Sequence, residues 1–318
     1  MSDELTAELL SILGLRALAP LGGRQNRHWL VKSSRRSGAE QKVLRRWGPQ
    51  PASSIEYERT LIVRIKAMGW PVAQLEEPVE FDGHLWSTSP VLPGDPKIVR
   101  DSSELRARGR LMAELHADTS GIKNLPQRPG WRRAEEIPAD QALERILSET
   151  ESTQPEEVRI VRWHLDRARL RIAGLNLADE PSIPIQGDFA TWNLLFQNGQ
   201  LSGLLDFELA RNDNRVADFA LAWRGTYDEV IEGYEEVFPL GPEQRLSVTP
   251  IWWAQLIESA CQQMLQGTQD DGWDTEKAAC EIAIYGTRCV GTALIKCSAL
   301  QVSHRTLKLD RYDASESC

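Results

Sequence analysis

The chain has 318 residues, of which 41% are hydrophobic and 26% charged, and it carries a formal net charge of −9. This composition is typical of a globular protein with a sizeable core, and the acidic balance argues against nucleic acid as the main partner. No apolar run approaches the roughly 20 residues that a membrane span needs, and the acidic start does not resemble a secretory signal. The five cysteines show no paired spacing, which favours reduced thiols. We therefore expect a cytoplasmic protein, whose oligomeric state the sequence does not indicate.

The first 93 residues predict a small lobe that mixes strands and helices. Their periodicity places helices at residues 3–14 and 55–68 and strands near residues 29–32, 41–47, 77–81 and 85–91. Asp82-Gly83 is a hairpin signal between the last two strands. The Pro93-Gly94 pair breaks the pattern, so we place the lobe boundary between residues 93 and 94.

Residues 94–318 predict a larger lobe that is mainly helical. The spacing of apolar residues indicates helices at residues 104–118, 155–173, 249–266 and 275–302. Residues 183–222 change character, because short apolar strands alternate there with polar loops. Together the two parts predict an α+β protein with two lobes.

The strongest signal for chemistry lies in this stretch of strands and loops. Asp188 and Asn193 are five residues apart before an apolar strand, and Asn198-Gly199 predicts a tight turn into a second strand that delivers Asp206. Phosphoryl transfer needs such groups: a carboxylate that orients or deprotonates a hydroxyl, and hard oxygen ligands for Mg²⁺. Taken singly, each residue is an ordinary turn or strand-end residue. The complete pattern favours the catalytic interpretation.

The pattern Gly187-Asp188-x4-Asn193, followed by Leu205-Asp206-Phe207-Glu208, resembles the catalytic loop and metal motif of the aminoglycoside phosphotransferase and choline kinase-like family. The resemblance implies a bilobal protein-kinase-like fold, with a small β-rich N-lobe that binds nucleotide and a larger, mainly helical C-lobe for catalysis and substrate binding. It implies ATP and Mg²⁺ as cofactors, with the ATP between the lobes. It also implies that Asp188 is the catalytic base and that Asn193 and Asp206 bind the metal.

Three neighbouring positions are interpreted as structural. The family usually has His before the Gly-Asp pair, whereas this chain has Gln186. That position braces the loop, so the change raises a question about local hydrogen bonding more than about activity. Asp218 resembles a family position that caps a helix or braces the catalytic loop. His116 resembles a family histidine that we interpret as a packing or bracing residue.

The nucleotide contacts are expected in the first lobe. The stretch after Leu21 resembles the family's loop between its first two strands, which implies that Gly23, Gln25 and Asn26 cover the phosphates. The strand that ends near residue 91 resembles the family's adenine-binding segment. Backbone groups near Ser89 and Val91 would then meet adenine.

A strand cation and a helix glutamate complete the expected phosphate site. The family pattern selects Arg45, and the alternative is Lys42 on the opposite face of the strand. The cation usually pairs with a glutamate of the following helix. Glu58 fits that register, with Glu56 as the fallback.

The acceptor is the least specified part of the site. Later helices carry tryptophans and acids that would suit an amine through charge pairing and cation–π contact, although helical spacing is also typical of a core. These residues are Trp223, Trp252, Trp253, Trp273, Glu258, Asp270, Asp271, Asp274 and Glu276. Family resemblance favours a small aminated hydroxyl compound such as an aminoglycoside, which implies a role in antibiotic resistance. Choline, homoserine or a sugar is the alternative acceptor, and an inactive nucleotide-binding protein or a metal-dependent phosphohydrolase is the alternative class.

Overall fold

The computed structural model describes residues 5–23, 26–34, 40–97, 101–177, 179–224 and 227–266. Within these ranges the helices are α1 (Ala7–Leu13), α2 (Ala52–Ala67), α3 (Ser102–Thr119), α4 (Gln141–Thr150), α5 (Pro155–Ala173), α6 (Phe219–Ala222), α7 (Asp228–Glu235) and α8 (Pro242–Gln266). The strands are β1 (Leu15–Gly22), β2 (Arg27–Ser33), β3 (Gln41–Arg46), β4 (Val79–Phe81), β5 (His84–Pro90), β6 (Asp95–Pro96), β7 (Ser182–Ile185), β8 (Leu194–Gln197), β9 (Gln200–Leu204) and β10 (Arg211–Asn214). Short 3₁₀ helices lie at Ala134–Ala139, Thr191–Asn193 and Arg215–Asp218. The prediction of an α+β protein is confirmed.

The chain divides into two compact units. Unit 1 comprises Met1–Ile98, Ile122–Gly130 and Ala190–Leu209, and unit 2 contains the other described residues. The division falls inside the predicted catalytic motif, so Asp188 belongs to unit 2 while Asn193 and Asp206 belong to unit 1. The predicted lobe boundary at residues 93 and 94 stays a prediction.

Unit 1 contains a five-stranded antiparallel sheet in the order β1-β2-β3-β5-β4. Helix α1 packs against it, and the shared core is formed by Leu9, Val31, Leu44 and Trp86, each at most 5% exposed. Burial of side chains of this size stabilises the unit by about 1.5–3 kcal/mol each. Because Leu44 is in this core, β3 is fixed in the sheet and the face that carries Arg45 is fixed with it.

Two tight turns of unit 1 have the same geometry. Asp82 and Gly83 join β4 to β5 with φ values of 49° and 71°, and Asn198 and Gly199 join β8 to β9 with 53° and 78°. Two successive positive φ values are typical of a type I′ turn, whose twist matches that of the flanking strands. Both predicted hairpins are therefore confirmed.

Unit 2 is built mainly from packed helices. Helices α3 and α7 approach closely at Gly109 and Gly233, where a Cβ atom on either residue would collide with backbone of the other helix. Helix α8 packs against α4 and α5 and buries Trp253. It begins at Pro242, earlier than predicted, since proline suits the first position of a helix. The helix predicted at residues 275–302 lies outside the described residues.

The lengths and apolarity of the helices bear on membrane insertion. In the part of the chain that the structure describes, no helix is both long and apolar enough to cross a membrane.

Candidate active site

A hairpin of unit 1 brings the two predicted metal ligands together. Asn193 ends a 3₁₀ turn directly before β8, and Asp206 follows two residues after β9. The Leu205 amide donates to the Asn193 carbonyl oxygen at 2.9 Å, which closes the open end of the hairpin. The predicted juxtaposition is confirmed, whereas metal binding by these two residues stays a prediction.

Asp206 lies in the turn that follows β9. Asp206 adopts φ 54°, a left-handed conformation that Asp tolerates better than most residues, and its Oδ1 accepts a hydrogen bond from the Glu208 amide at 3.3 Å. Burial raises the pKa of Asp206, and Glu58 adds to the rise while Arg45 opposes it. Burial disfavours the charged form of this carboxyl group, and a nearby cation would stabilise that form.

Glu208 is a second carboxyl group of this turn, which the sequence analysis did not select. Burial and the neighbouring Asp206 raise the pKa of Glu208 to about 7. Its Oε2 accepts a hydrogen bond from Asn26 Nδ2. Because the two acids repel each other, a divalent cation would stabilise both of them in the charged form. The signal available in the sequence was the acid two positions after Asp206.

The predicted ion pair between strand β3 and helix α2 is present. Arg45 Nη1 donates to Glu58 Oε1 at 2.5 Å, and Nη2 donates to Oε2 at 3.4 Å. The Arg45 side chain is 8% exposed and that of Glu58 is fully buried. The Arg45 guanidinium also lies over the Trp47 ring, 3.8 Å from its centroid. These contacts fix the guanidinium within unit 1.

The two alternatives for this pair occupy the surface. Lys42 forms an exposed ion pair with Glu76, and Glu56 pairs with Arg59 one turn along α2 at 2.9 Å. The structure therefore favours Arg45 and Glu58 over Lys42 and Glu56 as the buried pair, and their phosphate contact stays a prediction.

The loop between β1 and β2 is placed in part. Gly23 has φ 117°, and a Cβ atom there would collide with the Asn26 carbonyl, so this loop needs glycine at the position. Asn26 is buried, accepts a hydrogen bond from the Gly48 amide at 3.0 Å and donates to Glu208. Gln25 lies outside the described residues. The phosphate contacts of all three residues stay predictions.

The predicted adenine-binding residues lie at the end of β5. Ser89 is buried and pairs with Val43 of β3, whereas Val91 follows the strand and is 41% exposed. Their contact with adenine stays a prediction.

In unit 2, the loop that carries Asp188 is braced by side chains behind it. The Asp188 amide donates to Gln186 Oε1 at 2.7 Å, so the glutamine supplies a local hydrogen bond at the position where the family usually has histidine. Asp218 accepts from the Gln186 amide at 3.1 Å and from the Gly187 amide at 2.6 Å. The bracing role predicted for Asp218 is confirmed, while its side chain makes no helix-capping hydrogen bond.

His116 extends this brace into the core of unit 2. Its Nε2 lies 2.9 Å from Asp218 Oδ2, and its Nδ1 lies 2.9 Å from the Tyr234 hydroxyl oxygen. Burial raises the pKa of Tyr234, so its hydroxyl stays protonated. The Asp218 carboxylate can only accept a hydrogen bond, so Nε2–H donates to it. The prediction of a bracing histidine is confirmed.

The described tryptophans of the aromatic and acidic cluster belong to the core of unit 2. Trp223, Trp252 and Trp253 are at most 3% exposed. Glu258 pairs with Arg132, and burial raises the pKa of this carboxyl group. The three buried tryptophans therefore support the core interpretation over an amine site. The other members lie outside the described residues: Trp273, Asp270, Asp271, Asp274 and Glu276.

The donor and acceptor atoms of unit 1 fit a metal-bound polyphosphate. Arg45 Nε is a buried donor with no hydrogen-bond partner among the described residues, and it could bind a phosphate oxygen. Asn193, Asp206 and Glu208 offer the oxygen ligands that Mg²⁺ prefers. The described residues contain no cluster of three or more His, Cys, Asp or Glu side chains arranged for a metal. The candidate set instead combines one amide with two carboxylates.

Comparison with known sequences identifies the family. Residues 17–240 match the model of the phosphotransferase enzyme family, APH. A homoserine kinase from Gluconobacter oxydans is 35% identical over 83 residues, a match that covers 22% of this chain and 26% of the kinase. The chain thus matches about a quarter of the length of this relative.

Solved structures show the same fold at low sequence identity. An aminoglycoside phosphotransferase, APH(4)-Ia in its apo form, aligns with a TM-score of 0.63 and 18% identity over 89% of this chain and 99% of its own. Amicoumacin kinase in complex with AMP-PNP, Ca²⁺ and its ligand aligns with a TM-score of 0.60 and 13% identity, over 86% of this chain and 87% of its own. Ethanolamine kinase from Plasmodium vivax aligns with a TM-score of 0.54 and 12% identity, over 86% of this chain and 83% of its own. The prediction of a kinase-like fold is confirmed.

Proposed function

This chain belongs to the phosphotransferase enzyme family, and we propose that it transfers the γ-phosphoryl group of ATP to a hydroxyl group of a small molecule. One observation carries the proposal. The buried Arg45–Glu58 ion pair influences the pKa of Asp206, a carboxyl group beside Asn193 and Glu208. A fixed cation next to oxygen ligands is the arrangement that a metal-bound phosphate requires.

Residues of unit 1 would bind the nucleotide. Arg45, which Glu58 holds in place, would donate to phosphate oxygens, and Nε is the buried donor without a partner in the described chain. Gly23, Gln25 and Asn26 would cover the phosphates through the loop between β1 and β2. The backbone at the end of β5, near Ser89 and Val91, would meet adenine.

Asn193, Asp206 and Glu208 would hold the divalent cation. The cation supplies charge neutralisation at the phosphates. In its absence the two acids repel each other, which is consistent with the raised pKa of Glu208. Amicoumacin kinase, which has the same fold, was solved with AMP-PNP and Ca²⁺.

Asp188 would orient the acceptor hydroxyl and accept its proton. Its amide is fixed by Gln186, and the preceding Gly187 amide is fixed by Asp218. A braced loop presents its carboxylate in one position, so less conformational freedom is lost when the acceptor binds.

We further propose that the acceptor carries both an amine and a hydroxyl group. The similar proteins include an aminoglycoside phosphotransferase, an ethanolamine kinase and a homoserine kinase, whose named substrates share this chemistry. A reaction that consumes ATP suits the cytoplasm, where ATP is regenerated. If an aminoglycoside proves to be the acceptor, the chain would act in antibiotic resistance.

ADP release in the presence of Mg²⁺ tests this function. The panel of acceptors is aminoglycosides, choline, ethanolamine, homoserine, methylthioribose and fructosamines, and Asp188→Asn is the control. We expect one class to stimulate ADP release by the wild-type protein and the variant to lose that stimulation.

Other outcomes would favour another class of protein. ATP breakdown that no acceptor stimulates would indicate a phosphohydrolase. Binding of ATP without turnover across the panel would favour an inactive nucleotide-binding protein. If ATP does not bind at all, the roles proposed for unit 1 are wrong.

A further inference from the structure

Arg128 is a buried cation of unit 1 that no sequence motif marks. It lies in the segment Ile122–Gly130, which belongs to unit 1 although its neighbours along the chain belong to unit 2. Its side chain is fully buried. A buried guanidinium is costly unless hydrogen bonds satisfy it, so its partners indicate what the residue is for.

The first set of partners is the turn that follows Asp206. Arg128 Nη1 donates to the Phe207 carbonyl oxygen at 3.1 Å and to the Glu208 carbonyl oxygen at 2.9 Å. Asp206 itself adopts a left-handed backbone conformation, which is strained for a residue other than glycine. The guanidinium therefore helps to hold the backbone of residues 206–208, which carries the Asp206 and Glu208 carboxylates, in one conformation.

The second set of partners lies on and before helix α2. Arg128 Nε donates to Ser54 Oγ at 2.7 Å, and Nη2 lies 3.3 Å from Glu58 Oε2 and 3.2 Å from Gln50 Oε1. Glu58 is thus shared between Arg128 and Arg45. One planar guanidinium joins the glutamate that holds Arg45 to the backbone that holds Asp206 and Glu208.

We infer that Arg128 is a positioning residue for the divalent cation: it fixes the turn at residues 206–208 relative to Glu58 so that both acids can bind the metal. This inference rests on the proposed function. Arginine suits the role because its donors form a rigid fork, whereas lysine offers a single ammonium group that cannot reach the carbonyls and Glu58 in the same geometry.

A purely structural role for Arg128 makes a different prediction. Replacement would then lower stability without a specific loss of metal affinity. Arg133 of unit 2 is a matched control, since it donates to the carbonyl oxygens of Leu177 and Glu180 and pairs with Glu135. Its contacts are of the same type but lie away from the candidate metal ligands along the chain and in the other unit.

The test compares wild-type protein, Arg128→Lys and Arg133→Lys by calorimetric titration with AMP-PNP, with and without Mn²⁺, and by Mn²⁺ binding from electron paramagnetic resonance. For Arg128→Lys we expect about tenfold weaker Mn²⁺ binding, as for other residues that support a metal ligand. Binding of AMP-PNP without metal should change less than twofold, and Arg133→Lys should match the wild type in both.

The outcomes separate the inference from the proposed function. If the wild-type protein binds neither AMP-PNP nor Mn²⁺, the proposed function fails. If it binds both and Arg128→Lys retains wild-type Mn²⁺ affinity, or loses AMP-PNP and Mn²⁺ affinity equally, only the role of Arg128 is wrong.

A milder variant applies if Arg128→Lys does not fold. Gln50 is partly exposed, and its Oε1 accepts from both Arg128 and Ser54. Gln50→Ala loosens the guanidinium without removing it. We expect a weakening of Mn²⁺ binding in the same direction, by about twofold to threefold. Unchanged Mn²⁺ affinity in a folded Gln50→Ala protein would overturn the inference.

Discussion

The two units hold different candidate residues, and their buried charges have different surroundings. In unit 1, Asp206 and Glu208 lie close together with raised pKa values, and Arg45 keeps a buried donor without a partner among the described residues. In unit 2, the buried carboxylate of Asp218 accepts two backbone amides and a histidine.

This difference distinguishes the groups that are proposed to bind ligands from the groups that support a loop. Acids whose pKa is raised by burial and by a neighbouring acid gain most from a bound cation, and a buried guanidinium gains from a bound phosphate. Charges that are fully compensated stabilise a loop and have little left to offer a ligand. We therefore expect substitutions in unit 1 to act mainly on ligand binding, and substitutions behind the Asp188 loop to act on both stability and rate.

The largest effect is expected at Asp188, which lies on the braced loop and is the proposed catalytic base. Asp188→Asn should lower acceptor-stimulated ADP release by about 1,000-fold, because the amide cannot take a proton. Thermal unfolding of the variant should stay close to that of the wild type. A variant that keeps more than a tenth of the activity would contradict the role of Asp188 as the base.

Replacement of the buried cation should be next in size. Arg45→Met removes the proposed phosphate donor and leaves Glu58 paired with Arg128, so ADP release should fall about 100-fold. Lys42→Met is the matched control, since Lys42 is in the same strand but forms an exposed ion pair, which is worth at most about 1 kcal/mol. Equal losses of ADP release in the two variants would contradict the proposed role of Arg45 as the phosphate donor.

The brace behind Asp188 should produce a smaller, mixed effect. In Asp218→Asn, the new NH₂ group faces backbone donors, so the free energy of unfolding should fall by about 3 kcal/mol. Acceptor-stimulated ADP release should fall about tenfold. Tyr234→Phe removes only the hydroxyl that lies 2.9 Å from His116 Nδ1, and it should cost about 1 kcal/mol. Urea unfolding and ADP release measure the two effects. Full activity in Asp218→Asn would contradict the idea that support of the Asp188 loop affects the rate of phosphoryl transfer.

The last effect concerns the pH dependence of stability, which depends on a buried histidine of unit 2 and leaves the proposed chemistry aside. Burial lowers the pKa of His164 to about 3, with Arg167 adding to the shift. Below the ordinary histidine pKa of about 6.5 the unfolded chain binds a proton that the native state does not, so stability falls as pH decreases from about 6.5 toward 3.

The variant His164→Gln should reduce this pH dependence. Since glutamine does not titrate, the loss of stability between pH 7 and pH 5 should shrink by up to about 2 kcal/mol. Urea unfolding at the two pH values measures the difference. An identical pH dependence in the wild type and the variant would show that His164 is not held neutral.

The local chemistry of the site was predictable because it depends on neighbours along the chain. The turn at Asn198-Gly199 and the spacing of Asp188, Asn193 and Asp206 follow from turn propensity and motif, and the strand periodicity placed Arg45 opposite Lys42. Each of these features is specified within about twenty residues. The pairing of Arg45 with Glu58 was within reach because it joins consecutive elements of one lobe.

Other parts of the site depend on contacts between distant residues. Asn26 and Glu208 are 182 positions apart in the sequence, and Arg128 reaches Glu58 and the turn at residues 206–208 across 70 and 80 positions. No local pattern marks Arg128, since its segment forms neither a helix nor a strand. The core role of Trp252 and Trp253 could not be separated from an amine site for the same reason.

The sequence by itself determined the family, the hairpins, helices α1, α2, α3 and α5 with the later part of α8, and the candidate catalytic and metal residues, because hydrophobic period, turn residues and motif spacing are local properties. Helices α4, α6 and α7 were not predicted. Only the tertiary structure decided that Glu58 is shared by two arginines, that Glu208 joins Asp206, and that Asp218 supports the loop through the Gln186 and Gly187 amides rather than by capping a helix. Those features depend on which distant side chains are buried against each other, and burial sets both the strength of an ion pair and the pKa of an acid.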